Sequence, residues 1–99
     1  MNPAQHTTMN TVLELTVANH PGVMSHVMGL FARRAFNVDS IVCMPLPTDK
    51  GRSRIWLRVQ EDRRLDQMIR QIEKLVDVTE VKRHGCEHDV FKTAAPYFQ

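Results

Sequence analysis

Between Val12 and Val17, apolar Leu13, Leu15 and Val17 alternate with Glu14 and Thr16. This two-residue period predicts a strand with one face in a core and the other outside it. Past Gly22 the period lengthens. Val23, Met24, Val27, Met28, Phe31 and Ala35 recur at spacings of three and four, one apolar stripe on a helix, with Ser25, His26, Arg33 and Arg34 off it. Asn37-Val38-Asp39 restarts an extended run through Ile41, Val42, Met44 and Leu46, and Pro47-Thr48-Asp49-Lys50-Gly51 is turn chemistry that reverses the chain. In the returning strand, Ile55, Leu57 and Val59 face one way and Arg54, Trp56 and Arg58 the other. Glu61 and Asp62 then stand where a helix start favours negative charge, and Leu65, Met68, Ile69, Ile72, Leu75 and Val76 form a second stripe. A weaker strand, with Val78 and Val81, is predicted from Asp77 to Arg83.

The order is β-α-β-β-α-β. It predicts an α+β chain of the ferredoxin-like, split-βαβ type, a four-stranded antiparallel sheet with two helices on one face. Residues 1–10 are polar and expected to be a flexible segment, residues 11–84 form the domain, and residues 85–99 form a tail. The tail carries Phe91, Tyr97 and Phe98, aromatics that a domain of this topology does not need, and is expected to dock on a partner or to cover the open sheet face around Trp56.

Composition narrows the classes. A 99-residue chain with 42% apolar and 24% charged residues makes one ordinary globular domain with a modest core, a size at which self-association or a partner is a common source of stability. A formal charge of +2 with five histidines falls short of the basic footprint of a nucleic-acid binder, and Trp56 is the sole aromatic on the strands that stack bases in RNA-binding domains of this topology. The longest apolar run, Ile41 to Leu46, contains a proline and is too short to cross a bilayer. MNPAQHTTMN has neither a basic n-region nor an apolar core, so no secretory signal and a cytoplasmic protein are expected. Cys43 and Cys86 are expected to be reduced thiols rather than a disulfide framework.

Motifs for catalysis are missing: there is no Gly-x-Ser-x-Gly, no P-loop and no G-x-G-x-x-G. His84, Cys86 and His88 alternate, and an extended segment would put all three on one side. A fourth ligand at a recognisable spacing is lacking, so a solvated turn is expected over a zinc site. His20 and His26, six apart across a loop and a helix start, read as surface positions, and Glu61/Asp62 as helix-start charges rather than an acid/base pair. Arg33-Arg34 and Arg63-Arg64 read as solvated helix faces or partner contacts. The most informative stretch is Asn19-His20-Pro21-Gly22. With Pro21 as the first helical residue, the N–H groups of Gly22, Val23 and Met24 would point out of the helix and favour an anion such as a carboxylate, with no Gly22 side chain in the way. On the residues alone a second reading stays open, in which Asn19 caps the helix and Gly22 merely packs.

TVANHPGVMSHVMGLFARRAFNVDSI resembles the start of an ACT domain, the βαββαβ module that binds amino acids and regulates metabolic enzymes. NHPGV, GLFARRAFNVDSI, RIWLRV and a second helix leading into KLVDVTEVKR are similar to the regulatory small subunits of acetohydroxyacid synthase (acetolactate synthase), in the short form found with the valine-sensitive type I isozyme. The resemblance covers Thr11 to Arg83, with an echo in the terminal YFQ, and longer members append a second ferredoxin-like domain. It implies a non-catalytic subunit without a cofactor of its own. The partner would be a catalytic large subunit that holds thiamine diphosphate, magnesium and FAD and condenses pyruvate with a second 2-ketoacid in valine and isoleucine biosynthesis. The small subunit would raise that activity and confer feedback inhibition by valine, bound between two ACT domains paired side by side in a homodimer. The resemblance assigns Asn19 and Gly22 to ligand contact within the loop Asn19, His20, Pro21, Gly22, Val23 and Met24, and Asn37 to contact from the neighbouring chain. The carboxylate would go to the helix-start N–H groups and the ammonium to amide oxygens, with Val38 and Ile41 beside the isopropyl group. His20-Pro21 departs from the acidic-serine pair usual in longer members, which bears on affinity or selectivity. Two competing readings are a scaffold subunit with a vestigial site and a small metal-binding protein using His84, Cys86 and His88.

Overall fold

A computed structural model describes residues 10–85 and Phe91. Strand β1 spans Asn10–Ala18, helix α1 Val23–Arg33, β2 Val38–Pro45, β3 Arg52–Gln60, α2 Leu65–Glu73 and β4 Val78–His84. The sheet order is β2-β3-β1-β4 with every neighbouring pair antiparallel, so the predicted ferredoxin-like topology is what the chain adopts. Each helix crosses from one strand to another two positions away, and both pack on the same face of the sheet.

That face is where the alternating residues go. Leu13, Leu15 and Val17 of β1 and Ile55, Leu57 and Val59 of β3 meet Val23, Val27, Leu30 and Phe31 of α1 and Leu65, Met68 and Ile72 of α2 in one buried cluster. Each such fully buried aliphatic or aromatic side chain contributes on the order of 1.5–3 kcal/mol. The helix stripes shift at their ends. Leu30 joins the core, whereas Val76, expected in the second stripe, is 93% exposed because α2 stops at Glu73.

Ala35, expected to continue the first stripe, instead ends α1 in a left-handed conformation with φ 51°. The Ala35 N–H donates to Ala32 O (3.1 Å) and the Phe36 N–H to Phe31 O (2.9 Å), the two closing bonds of a Schellman cap. The apolar contact that accompanies such a cap is also present, since the Phe31 and Phe36 rings meet edge-on with centroids 5.8 Å apart.

The expectation of a half-buried first strand is corrected by the structure. Every residue from Thr11 to Val17 is buried, including Glu14 and Thr16. The physical reason is position: β1 is an inner strand, and its outward side chains are walled in by β3 and β4. Glu14 Oε2 lies 2.9 Å from Arg54 Nε, close enough to pair although that N–H is not aimed along a hydrogen bond, and Glu14 Oε1 is 2.8 Å from His84 Nε2. The Trp56 ring stacks at 5.5 Å on His84, and Phe91 lies under the Arg58 guanidinium at 5.6 Å.

Candidate functional site

The β1–α1 loop leaves the sheet beside the β2–β3 turn, because Ala18 pairs with Arg52 at the end of the β1–β3 ladder. Two backbone bonds fix its start: Ala18 N–H donates to Asp77 O (2.8 Å) and Asn19 N–H to Gly51 O (2.9 Å). The Asn19 side chain does not cap α1. Its Nδ2 donates to Lys50 O (3.2 Å), tying the loop to the turn and leaving Oδ1 for another donor. Pro21 is not the first helical residue, since Gly22 intervenes as N-cap with φ 91° and ψ −15°. This is a conformation that a glycine adopts at little cost and other residues do not.

Left-handed Gly22 changes which N–H groups are free. Val23 N–H, expected to be open, donates to His20 O at 3.4 Å. Among the described residues the N–H groups of Gly22, Met24 and Ser25 have no backbone partner. A Cβ placed on Gly22 would meet nothing within 4 Å, so the approach to these donors is open. Beside them Val17, Ala18, Asn19, His20, Val23, Met24, Cys43, Ser53 and Ile55 line a hollow of about 150 Å³.

His20 is bound on both sides. Its Nδ1 is 2.7 Å from Pro21 O and its Nε2 is 2.6 Å from Asp77 Oδ1. Asp77, whose side chain is 17% exposed, also has His26 Nδ1 at 3.5 Å. The hydrogen bond from His20 holds the Asp77 carboxyl below the ordinary carboxylate range, and the same bond, with that to Pro21 O, raises the His20 imidazole above the usual histidine value. Burial pushes the Cys43 thiol up, the opposite of an activated nucleophile.

Of the residues expected at the site, Asn19, His20, Pro21, Gly22, Val23 and Met24 are brought together. Asn37, Val38 and Ile41 are not in the hollow. Val38 pairs with Val59, which pairs with Thr11 at the far end of β1, so the exposed Asn37 lies roughly 23 Å along the sheet from the loop at 3.3 Å per residue. Val38 packs against the core at that far end, and Ile41, midway along edge strand β2, is 41% exposed. The sequence reading missed Asp77, the convergence of both histidines on it, and the lining from Cys43, Ser53 and Ile55. The alternation along β3 put Ile55 on the helix side, but only the register, which pairs Cys43 with Ile55 and Pro45 with Ser53, brings this lining beside the loop.

A larger hollow of about 280 Å³ between the helix ends is lined by Arg34, Phe36, Arg64, Gln67 and Met68. Its two arginines are already engaged, Arg34 with Leu30 O at 3.4 Å. Arg64 pairs with Asp62 (3.1 Å), donates to Arg34 O (2.9 Å) and lies 5.0 Å over the Phe36 ring. Asp62 also accepts from the Arg64 N–H (2.7 Å) just ahead of α2, whose first turn carries Asp66 rather than the expected Glu61 and Asp62. Among the described residues no group of three His, Cys, Asp or Glu side chains could hold a metal ion, and no helix is long and apolar enough to cross a membrane. Cys86 and His88 of the possible metal triad, and Tyr97 and Phe98 of the tail, lie outside the described residues.

Residues 13–80 match the family model described as the AHAS small subunit-like ACT domain. The chain is 57% identical over 90 residues to the acetolactate synthase isozyme 1 small subunit of Escherichia coli K12, covering 91% of this chain and 93% of that one. It is 35% identical over 96 residues to the acetolactate synthase small subunit of Mycobacterium bovis, where it spans 96% of its own length and 54% of the relative's. Among solved structures, the acetolactate synthase small subunit from Thermotoga maritima superposes with a TM-score of 0.67 at 37% identity, over 75% of this chain and 46% of that one.

Proposed function

Because the chain belongs to the acetolactate synthase small subunits, regulatory rather than catalytic chains built on an ACT domain, we propose that it activates a catalytic large subunit and confers feedback inhibition by valine. The carrying observation is the β1–α1 loop. Left-handed Gly22 leaves N–H donors at the start of α1 open to a carboxylate, the free Oδ1 of Asn19 faces the ammonium, and the adjoining hollow offers apolar contact to a short side chain.

At about 150 Å³ the hollow is smaller than the roughly 300–1,000 Å³ of a complete small-molecule site. We read it as half of one, completed by a second copy in a side-by-side homodimer. Asn37 and Val38, too far away within one protomer, would then reach the ligand from the neighbour. Edge strand β2 supports this pairing, because it ends the sheet with Ile41 and Met44 exposed at 41% and 64%. Thiamine diphosphate, magnesium and FAD belong in this proposal to the large subunit, and both subunits to the cytoplasm. Residues 85–99 belong in this proposal to docking, a reading supported by the Phe91 ring lying 5.6 Å from the guanidinium of Arg58.

The test is titration of the reconstituted enzyme with valine, leucine and isoleucine, alongside calorimetry of the small subunit with valine. Saturable inhibition by valine with matching heat of binding is expected. No heat and no melting shift at millimolar valine would overturn the ligand site and leave a scaffold subunit.

A further inference from the structure

We propose that His20 and Asp77 form a proton-dependent latch on the β1–α1 loop, so that the loop's hold on an amino-acid ligand weakens as His20 loses its proton. The inference rests on the reading of this loop as the ligand site and adds a regulation of it.

The geometry constrains the protonation state. The partners of the two ring nitrogens, Pro21 O at 2.7 Å and Asp77 Oδ1 at 2.6 Å, are both acceptors. A neutral imidazole has one N–H and can donate to only one of them, whereas the imidazolium donates to both. Deprotonation therefore sets a ring lone pair against an oxygen lone pair, and one contact must go. Loss of the Pro21 contact frees the peptide that enters Gly22, and loss of the Asp77 contact detaches the loop from the α2–β4 connection. Either change acts at the residue whose backbone conformation, φ 91°, determines which N–H groups face out. The strand end stays in place, because the bond from Ala18 N–H to Asp77 O does not titrate in this range.

The groups around His20 come from four elements. From α1, His26 Nδ1 approaches Asp77 Oδ2 at 3.5 Å, an ion pair only when that imidazole is protonated. β2 contributes Cys43 to the hollow, whose thiol is pushed up by burial and stays neutral. β3 contributes only Ser53 and Ile55. In the β2–β3 turn, Asp49 and Arg52 pair with each other at 3.5 Å, and Lys50 meets the loop through its carbonyl. Asp77, held low, is ionised across the neutral range. His20, held high, keeps its proton below the usual histidine value and gives it up as the pH rises through its raised one, so the latch is closed in mild acid and opens toward alkaline pH.

The test uses the reconstituted holoenzyme and reads the valine concentration for half-inhibition from about pH 6 to about pH 8.5, each normalised to the uninhibited rate at that pH. Calorimetry of valine on the full small subunit is run in the same buffers. Wild type is expected to need about two- to five-fold more valine at the alkaline end, the span of one solvent-exposed ion pair. His20→Gln should be flat and weak throughout, and His26→Gln should keep the slope. Imidazole NMR should show His20 titrating lower in Asp77→Asn. A flat wild-type profile, or an unchanged slope in His20→Gln, overturns the latch while the ligand site stands. No valine binding at any pH overturns the ligand site and the latch together.

Discussion

Replacing Gly22 separates backbone from charge. At φ 91° any L-residue is strained by roughly 1–2 kcal/mol, yet nothing within 4 Å would clash with a new Cβ. Gly22→Ala therefore pays only the strain, and its melting temperature should fall by about 4–8 °C per kcal/mol. Gly22→Asp adds a negative charge about 5 Å from a carboxylate held by the helix-start N–H groups. Coulomb repulsion there is about 0.8 kcal/mol in bulk water and about 3 kcal/mol at an effective dielectric of 20. Beyond the effect of Gly22→Ala, half-inhibition should thus need roughly 4- to 150-fold more valine. The assay is acetolactate formation by catalytic subunit reconstituted with each variant, titrated with valine, with activation measured at zero valine. Activation should survive in both variants, because a side chain on Gly22 would meet nothing within 4 Å and so leaves the neighbouring core packing of Val23 in place. If Gly22→Asp and Gly22→Ala are inhibited alike, no ligand carboxylate sits at this helix start.

Three further outcomes follow from the packing. Ala35→Gly should stabilise the domain by about 0.5–1 kcal/mol in urea unfolding, because it relieves a left-handed alanine inside a Schellman cap whose other contacts persist. Glu14→Ala should cost about 0.5–1.5 kcal/mol, since the buried Glu14 carboxylate loses its contacts with Arg54 and His84, whose side chains reach solvent at 34% and 29% exposure; a neutral result in thermal melts would show that these contacts add nothing to stability. Asp62 and Asp77 have folded-state values below the ordinary carboxylate range, so their stabilisation is present above that range and fades as pH falls through their lowered values. Urea midpoints should therefore drop in acid, and Asp62→Asn should lessen the drop; an unchanged acid profile would refute the Asp62 share.

Much of the molecule was legible in the chain. Two-residue and three-to-four-residue periods reflect which side chains must leave water, and that local constraint specified six elements, their order and one shared core face. Proline and glycine in Asn19-His20-Pro21-Gly22 marked a helix start suited to an anion, and the quoted motifs brought the family with them. Periodicity is silent about what a strand's second face meets. Glu14 and Thr16 looked solvent-facing until the sheet order put β1 in the middle, flanked by Arg54, Trp56 and His84. Handedness at a single residue was equally invisible: Gly22 rather than Pro21 sets the helix start, and Ala35 turns the chain where a glycine is usual. His20, His26 and Asp77 are separated by up to 57 residues and share no local pattern, so only the return of β4 beside β1 gathers them. Sequence alone determined the elements and where a helix start follows the first strand, because both depend on nearby residues. Tertiary structure decided which charges meet across the sheet and how far Asn37 lies from Gly22, because register and strand order are properties of the whole fold.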